Sequence, residues 1–488
     1  MPSAKWKNKK KQSKFDNAYW FSENLILESR LLPPAVTDLL DRIYRESKPQ
    51  RKQPKAHLPQ LEILILNLLK AAESKDAYLV LPMSSGAYSQ LGKVSYRILI
   101  KHHIEHLIEM GWLEKNRGYF FRSGGRLTRI GLKKPILDWL KAKGFKAEDV
   151  ERSLPKSCLL FKNEKKEVIE IPAVYVKQAA AMEDTLSNIN KNLEKTFVDL
   201  FADDYELFDL NERMREKHET NPDNAYRLDL SAKFLTRIFN NGSLEEGGRF
   251  YFGWWQSVPK DYRPLISING DFTTEMDYSS IHVYLLYALS QSTCPYADHY
   301  VFGRLAKEYR AITKTMFMIL VNAESESSAI RAAMEQGLFD NGFPDGIETP
   351  IEYIQEIYKF HAPIAQYFGT GYGVKLQYLD SQIAESVMQR MLPEPCLPIH
   401  DSFIVRVGQS NKLKKIMNEE FYALTGLEAS MKVKLISLSK ERKQIVKELV
   451  DNELTGYSSR LLKWRKKYNW RFFTEGGASS DVPQLNIG

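Results

Sequence analysis

Cysteine is nearly missing from this chain: three residues in 488, at Cys158, Cys294 and Cys396. They lie far apart and form no C-x-x-C pair. This excludes a disulfide framework and a cysteine-based zinc module, and it fits a reducing, cytosolic compartment. Also missing is any apolar run long enough to cross a bilayer, and the lysine-rich start is not followed by an apolar signal segment. A cytoplasmic protein with no membrane partner is therefore expected, although the same lysines also suit nuclear import. No internal repeat is present. What remains is ordinary globular material, 43% hydrophobic, 27% charged and 12% aromatic. Its length exceeds one usual core and predicts two or three domains.

The formal charge of +8 is unevenly spread. Lys5, Lys7, Lys9, Lys10, Lys11 and Lys14 form one basic run, and Lys48, Arg51, Lys52 and Lys55 form another. Residues 1–56 thus read as a basic arm and linker, either solvated or in contact with phosphates. Residues 476–488, polar and containing Gly and Ser, read as a flexible tail.

Residues 57–150 read as a separate small unit. LPQLEILILNLLKAA predicts an apolar helix, and SYRILIKHHIEHLIEM a second one with Ser95 as N-cap, an apolar stripe of Ile98, Ile104, Leu107 and Ile108, and Gly111 as terminator. WLEKNRGYFF and GRLTRIGL follow as two short strands joined by a turn rich in Gly and Arg. The order of helix, glycine and basic hairpin resembles a winged-helix domain. That resemblance implies a helix laid in a DNA groove, with Arg117, Arg122, Arg126 and Arg129 of the wing on phosphates. Winged helices also serve as protein-interaction modules. His102 and His106 share a helix face beside His103. With no third ligand in view, the three read as polar surface histidines. Residues 151–240 read as a helical, charged thumb-like or connecting region.

Three segments in fixed order carry the chemistry. In TTEMDYSSIHVYLLYAL a strand delivers Asp277 and passes at Ser279-Ser280 into an apolar helix. In LPIHDSFIVRV, His400 and Asp401 stand between two β-prone runs, as at the tip of a hairpin. Two carboxylates brought together repel unless a cation lies between them, so the pair makes sense as a magnesium site, with manganese a substitute. Two such ions activate the attacking hydroxyl and stabilise the leaving oxygen of a phosphoryl transfer. Between these segments, EYRAITKTMFMILVNA repeats Arg310, Lys314, Met318 and Asn322 every four residues, along one helix face. Arg310 and Lys314 suit a triphosphate, Met318 a base, and Asn322 a base or sugar.

Together these segments resemble motifs A, B and C of the palm and fingers shared by family A DNA polymerases and single-subunit phage-type RNA polymerases. The resemblance covers about 240 to 410. It implies that Asp277 and Asp401 are metal ligands, with the Tyr278 carbonyl as a further one, and that Arg310 and Lys314 meet the incoming triphosphate. Upstream, Glu245 through Gly248 and Arg249 resemble a DxxGR motif, which implies that Arg249 contacts the template. The departures matter as well. His282 and Ser402 stand where the DNA enzymes usually carry Glu, and Asn322-Ala323 replaces the Tyr-Gly that ends the fingers helix. His282 either sits beside the ribose or packs beneath it. DYSSI leans towards deoxynucleotides, HDS and ExxGR towards ribonucleotides, and the balance falls slightly to the former. Nothing in the N-terminal half resembles a proofreading exonuclease.

The expected fold class is α+β: a right-handed polymerase with an antiparallel palm sheet and helical fingers and thumb, preceded by a winged helix. Palm and fingers would occupy 241–475. The expected function is nucleic-acid polymerisation by two-metal-ion transfer, with DNA (or RNA) and nucleoside or deoxynucleoside triphosphates as partners, serving a mobile element, phage or defence system. The alternatives are an RNA polymerase or primase, a template-independent terminal transferase, and a noncatalytic winged-helix regulator.

Overall fold

A computed structural model of the chain describes residues 19–468 apart from 28–30, 48–55, 74–76, 84, 89–90, 122–123, 127, 156, 218–227, 294–297, 429, 435–443, 445, 447 and 449–455. Both basic runs, Cys294 and the C-terminal tail lie outside the described residues. The class is mixed α+β with mainly antiparallel sheets, as expected. The described residues fall into two compact units, one drawn from 1–156 and 204–232, the other from 157–203 and 233–488.

In the first unit a four-stranded sheet has the order β1 (Tyr19–Trp20), β3 (Tyr78–Val80), β7 (Arg129–Leu132), β4 (Leu113–Asn116). A smaller pair joins β2 (Leu25–Ile26) to β8 (Glu151–Arg152). Around the sheet lie α1 (Leu32–Ser47), α2 (His57–Ala72), α5 (Lys134–Ala142) and a composite helix. The composite helix runs from α3 (Tyr96–Ile98) through a π-helical segment (Leu99–Ile104) into α4 (Glu105–Glu109). The Ser95 side chain accepts from the Ile98 N–H, and Gly111 takes φ +72°, so both predicted ends of this helix are present. Its buried face differs from the expected one. The wide π turn shifts the phase, and Leu99, Ile100, His103, Ile104 and Leu107 face the core. The expectation of surface histidines therefore fails at His103, which is completely buried.

Two boundaries also differ from the sequence reading. Residues 1–56 are not wholly arm and linker, because Leu32, Val36, Leu39 and Ile43 of α1 recur at helical spacing and enter the same core as α2. Residues 151–240 do not form one helical region. α7 (Asp204–Lys217) belongs to the first unit, while β9 (Leu159–Lys162), β10 (Val168–Ile169), α6 (Val176–Lys195), β11 (Val198–Leu200) and β12 (Thr236–Phe239) belong to the second. The boundary at 240 would cut the hairpin between β12 and β13 (Gly247–Tyr251).

The second unit holds two sheets. One has the order β10-β9-β12-β13. The other is built around β15 (Asp271–Tyr278), eight residues long. Along one edge β15 pairs with β17 (Ser402–Arg406), from Thr273↔Arg406 to Asp277↔Ser402. Along its other edge it pairs with β14 (Ile266–Ile268) at its start and β18 (Met431–Lys434) at its end. β16 (Leu397–Ile399) and β11 complete the order β11-β14-β15-β17-β16. Side chains alternate along β15, so Glu275 and Asp277 share one face while Met276 and Tyr278 share the other. Tyr278 is buried there, its hydroxyl donating to the Met417 carbonyl at 2.7 Å on α13 (Ser410–Thr425). The same unit contains α9 (Arg310–Asn322) and α12 (Gly373–Met391), together with α8 (Ile281–Leu289), which packs against both α12 and α13. α10 (Glu326–Glu335), α11 (Pro350–Phe360) and α14 (Gly456–Tyr468) complete the unit.

Candidate active site

Nine residues singled out in the core sequence, Asp277, Tyr278, His282, Arg249, Arg310, Lys314, Met318, Asn322 and Asp401, line one cleft of about 570 Å³ in the second unit. They come from four places in the chain, and the fold of each place explains its aim.

Asp277 stands at the end of β15, after which Ser280 takes φ +56° and the chain turns into α8. Asp401 lies in the two-residue turn of the β16–β17 hairpin, with His400 at φ +56°. This is the tip that the apolar runs on either side predicted. Because Asp277 pairs with Ser402, and the Tyr278 N–H donates to the Asp401 carbonyl at 3.2 Å, the two aspartates sit on adjacent strands. The buried Trp255 fixes the hairpin by donating its indole N–H to the Pro398 carbonyl at 3.1 Å. Burial raises the Asp401 carboxyl above the usual range, against the lowering influence of its own backbone and of Arg249. A carboxylate in that position gains from a bound cation. With hard oxygen donors on neighbouring strand ends, the site has the chemistry of a magnesium-class ion.

A third carboxylate, passed over in the sequence, is Glu275. It lines the same cleft, two residues before Asp277 on the same strand face. Its Oε1 lies 3.1 Å from the Ser402 hydroxyl and 3.3 Å from Arg263 Nη1. The residue after Asp401 is not acidic, yet a carboxylate reaches that side chain from the adjoining strand.

α9 buries Thr313, Met316, Phe317, Leu320 and Val321, which leaves the face of Arg310, Lys314, Met318 and Asn322 towards the cleft, as the four-residue spacing predicts. Arg310 is held in place: its Nε donates to Asp298 Oδ2 at 2.6 Å, and its guanidinium lies 5.5 Å from the Tyr300 ring centre. Burial alone would raise the Asp298 carboxyl, but the bonds from Arg310 and from the Tyr300 N–H carry it below its ordinary value. Lys314 is exposed on the next turn. At the C-terminal end of α9, the N–H groups of Gly369 and Gly371 donate at 2.7 Å to the Leu320 and Ala323 carbonyls. Asn322 donates to the Met318 carbonyl at 2.7 Å, against Gly373 of α12, where a Cβ would lie 2.0 Å from Asn322 Oδ1.

The resemblance to a DxxGR motif makes Arg249 a template contact. The glycines before it form a bulge in β13: Gly247 and Gly248 take φ +79° and +73°, with the register shift opposite Ile238 and Phe239. A Cβ on Gly248 would meet the Phe239 ring at 2.9 Å. The buried Arg237 holds the bulge by donating its Nε to the Gly248 carbonyl at 2.7 Å. Arg249 itself is bound to Asp380 of α12, through Nε at 3.1 Å to both carboxylate oxygens and through Nη2. His282 joins them. Its Nε2 lies 2.9 Å from Asp380 Oδ2 and 3.0 Å from Arg249 Nη2. A carboxylate only accepts and a guanidinium only donates, so Nε2 serves one of them at a time: as N–H towards Asp380, as bare nitrogen towards Arg249. Asp380 is thus the hub, buried and absent from the sequence reading. Its signal was a carboxylate on the buried helix face between Leu376 and Ile383.

The four wing arginines fare differently. β4 pairs with β7 from Leu113↔Leu132 to Asn116↔Arg129, and beyond an interruption β5 (Tyr119–Phe121) pairs with β6 (Gly124–Arg126). Arg117 is exposed at that interruption. Arg122 lies outside the described residues, and Arg126 is described only through its backbone on β6. Arg129 is a correction. It is fully buried on β7, between β3 and β4, and no phosphate reaches a side chain without solvent exposure.

No protein-family model matches the chain, and neither does any curated protein. Among solved structures it is similar to the POL domain of Pol1 from M. smegmatis, in complex with DNA primer-template and dNTP. That likeness has 12% identity over 84% of this chain and a TM-score of 0.26. The chain covers 66% of that domain's length. A superposition this loose carries no functional weight.

Proposed function

We propose that the second unit is a nucleic-acid polymerase core and that the chain catalyses nucleotidyl transfer. One observation carries this reading. Two aspartates on adjacent strand ends, and a helix face bearing Arg310 and Lys314, open into the same cleft, although more than a hundred residues separate Asp277 from Asp401. Six cationic side chains line it, Arg249, Lys260, Arg263, Arg310, Lys314 and Lys432, against the carboxylates of Glu275, Asp277 and Asp401. An anionic substrate meeting a divalent ion suits that charge pattern.

Asp277 and Asp401, with the Tyr278 carbonyl, would hold magnesium. Bound there, the metal supplies activation of the attacking hydroxyl and neutralisation of the developing phosphate charge. The protein's own part is positioning. Arg310, oriented by Asp298, and Lys314, one turn on, bind the triphosphate. Met318 supports the base. Asn322 and His282, both lining the cleft, approach base or sugar. Arg249, steadied by Asp380, meets the template or primer strand. The first unit, with its order of helix, strand, helix and hairpin, serves as a winged-helix DNA-binding module with Arg117 on the phosphates. The balance of motif residues favours deoxynucleotides. The test is incorporation of labelled dNTPs or NTPs on a defined primer-template with magnesium. Product whose sequence follows the template supports the proposal, and product independent of the template overturns its templated form.

A further inference from the structure

In the first unit, far along the chain from the aspartate pair, His57 at the start of α2 meets His102 and His103 of the π-helical segment. One ring nitrogen from each lies within 4.8 Å of the others. The ring centres are 4.4, 5.3 and 5.9 Å apart for the pairs 57–102, 57–103 and 102–103. Three imidazoles on one tetrahedral ion, with nitrogens about 2.0 Å from it, have ring centres about 5 Å apart. The rings already stand at that spacing.

The hydrogen bonding of His103 points the same way. This side chain is completely buried, and its Nε2 lies 3.1 Å from the His57 carbonyl. As Nε2–H it donates there, which fixes the tautomer and leaves Nδ1 as a bare acceptor. Among the described residues that Nδ1 has no hydrogen-bond partner. A buried imidazole nitrogen left so is costly, whereas a ligating histidine ordinarily has one nitrogen on the metal and the other donating to a carbonyl. The π turn has a use here as well. It sets adjacent residues 102 and 103 towards one partner, and it stacks His106 on His102 with ring centres 5.1 Å apart.

We propose that His57, His102 and His103 bind a borderline transition-metal ion, zinc being the type case, with a fourth position open to water. Imidazole donors without a carboxylate select against magnesium and calcium. The ion would cross-link the first turn of α2 to the composite helix and so set the rigidity of the helix read above as groove-binding. The site stands independently of the polymerase reading.

The experiment uses the full, tag-free chain stripped of metal, titrated with Zn²⁺ against a chromophoric chelator, with bound metal quantified by elemental analysis. Thermal unfolding is followed in parallel. The expected result is one Zn²⁺ per chain that persists in the Asp277→Ala/Asp401→Ala double variant. Affinity should fall at least a hundredfold in His102→Gln, which is only half-buried at that position and should fold. His57→Gln should give the same loss, and Zn²⁺ should raise Tm in the parent but not in either variant. X-ray absorption should report three nitrogen ligands at about 2.0 Å. The proposal is overturned if folded His102→Gln and His57→Gln bind Zn²⁺ like the parent, if binding disappears with the aspartates instead, or if the parent binds no Zn²⁺ at micromolar concentration.

Discussion

Asp380 receives Arg249 side-on, through both Nε and Nη2, while His282 Nε2 lies 2.9 Å from the same carboxylate. One buried acid on α12 thereby sets the direction of two cleft residues that are 33 positions apart in the chain.

Asp380→Asn keeps the shape but removes the charge that holds the guanidinium. Incorporation should fall by about tenfold or more, with secondary structure unchanged. Because the two residues act as a unit, Arg249→Ala and the double variant should lose similar amounts rather than the sum. Additive losses in a double-mutant cycle would separate Arg249 from Asp380.

Arg310 and Lys314 are assigned to the triphosphate, so Lys314→Ala should raise KM for nucleotide about tenfold or more. Asp298→Asn should give a smaller effect in the same direction, because Arg310 keeps its charge and loses its anchor. Steady-state kinetics over nucleotide concentration would check both.

Gly373 leaves room for the Asn322 side chain. Gly373→Ala should fold, since the amide end of Asn322 can swing aside, but it should alter the ratio of kcat/KM for dNTP over NTP. An unchanged ratio in competition assays would remove Asn322 from sugar or base selection.

Among the wing arginines, Arg117→Ala should weaken DNA binding and reduce the slope of log affinity against log salt by about one. Arg129→Ala should instead lower Tm by about 5 °C or more, because a buried side chain in a middle strand is lost. Salt-dependent binding paired with thermal denaturation distinguishes the two.

Legibility in the sequence followed the range of the interactions. The turn after Asp277, the hairpin tip at Asp401 and the face of α9 are written in short periodic patterns, and all three formed as read. So did the Ser95 cap and the Gly111 stop. What escaped depended on partners distant in the chain. Asp380 lies 131 residues from Arg249, and Glu275 approaches Ser402 only once the strands pair. His57 reaches the composite-helix histidines from 46 residues away. The π turn changed which side of the composite helix is buried, something a strict 3.6-residue period cannot express. Arg129 was misplaced for a related reason: an arginine near a hairpin tip reads as exposed until the neighbouring strands β3 and β4 enclose it.

The proposed function rests on Asp277 and Asp401 together holding the ions of a nucleotidyl transfer. Its most direct measurement is primer extension with labelled nucleotide, with and without magnesium, by the parent chain and by folded Asp277→Asn and Asp401→Asn. Extension should require magnesium and fall by about a thousandfold or more in each variant, while binding of the primer-template persists. Extension at the parent rate in either folded variant would contradict that role of the aspartates.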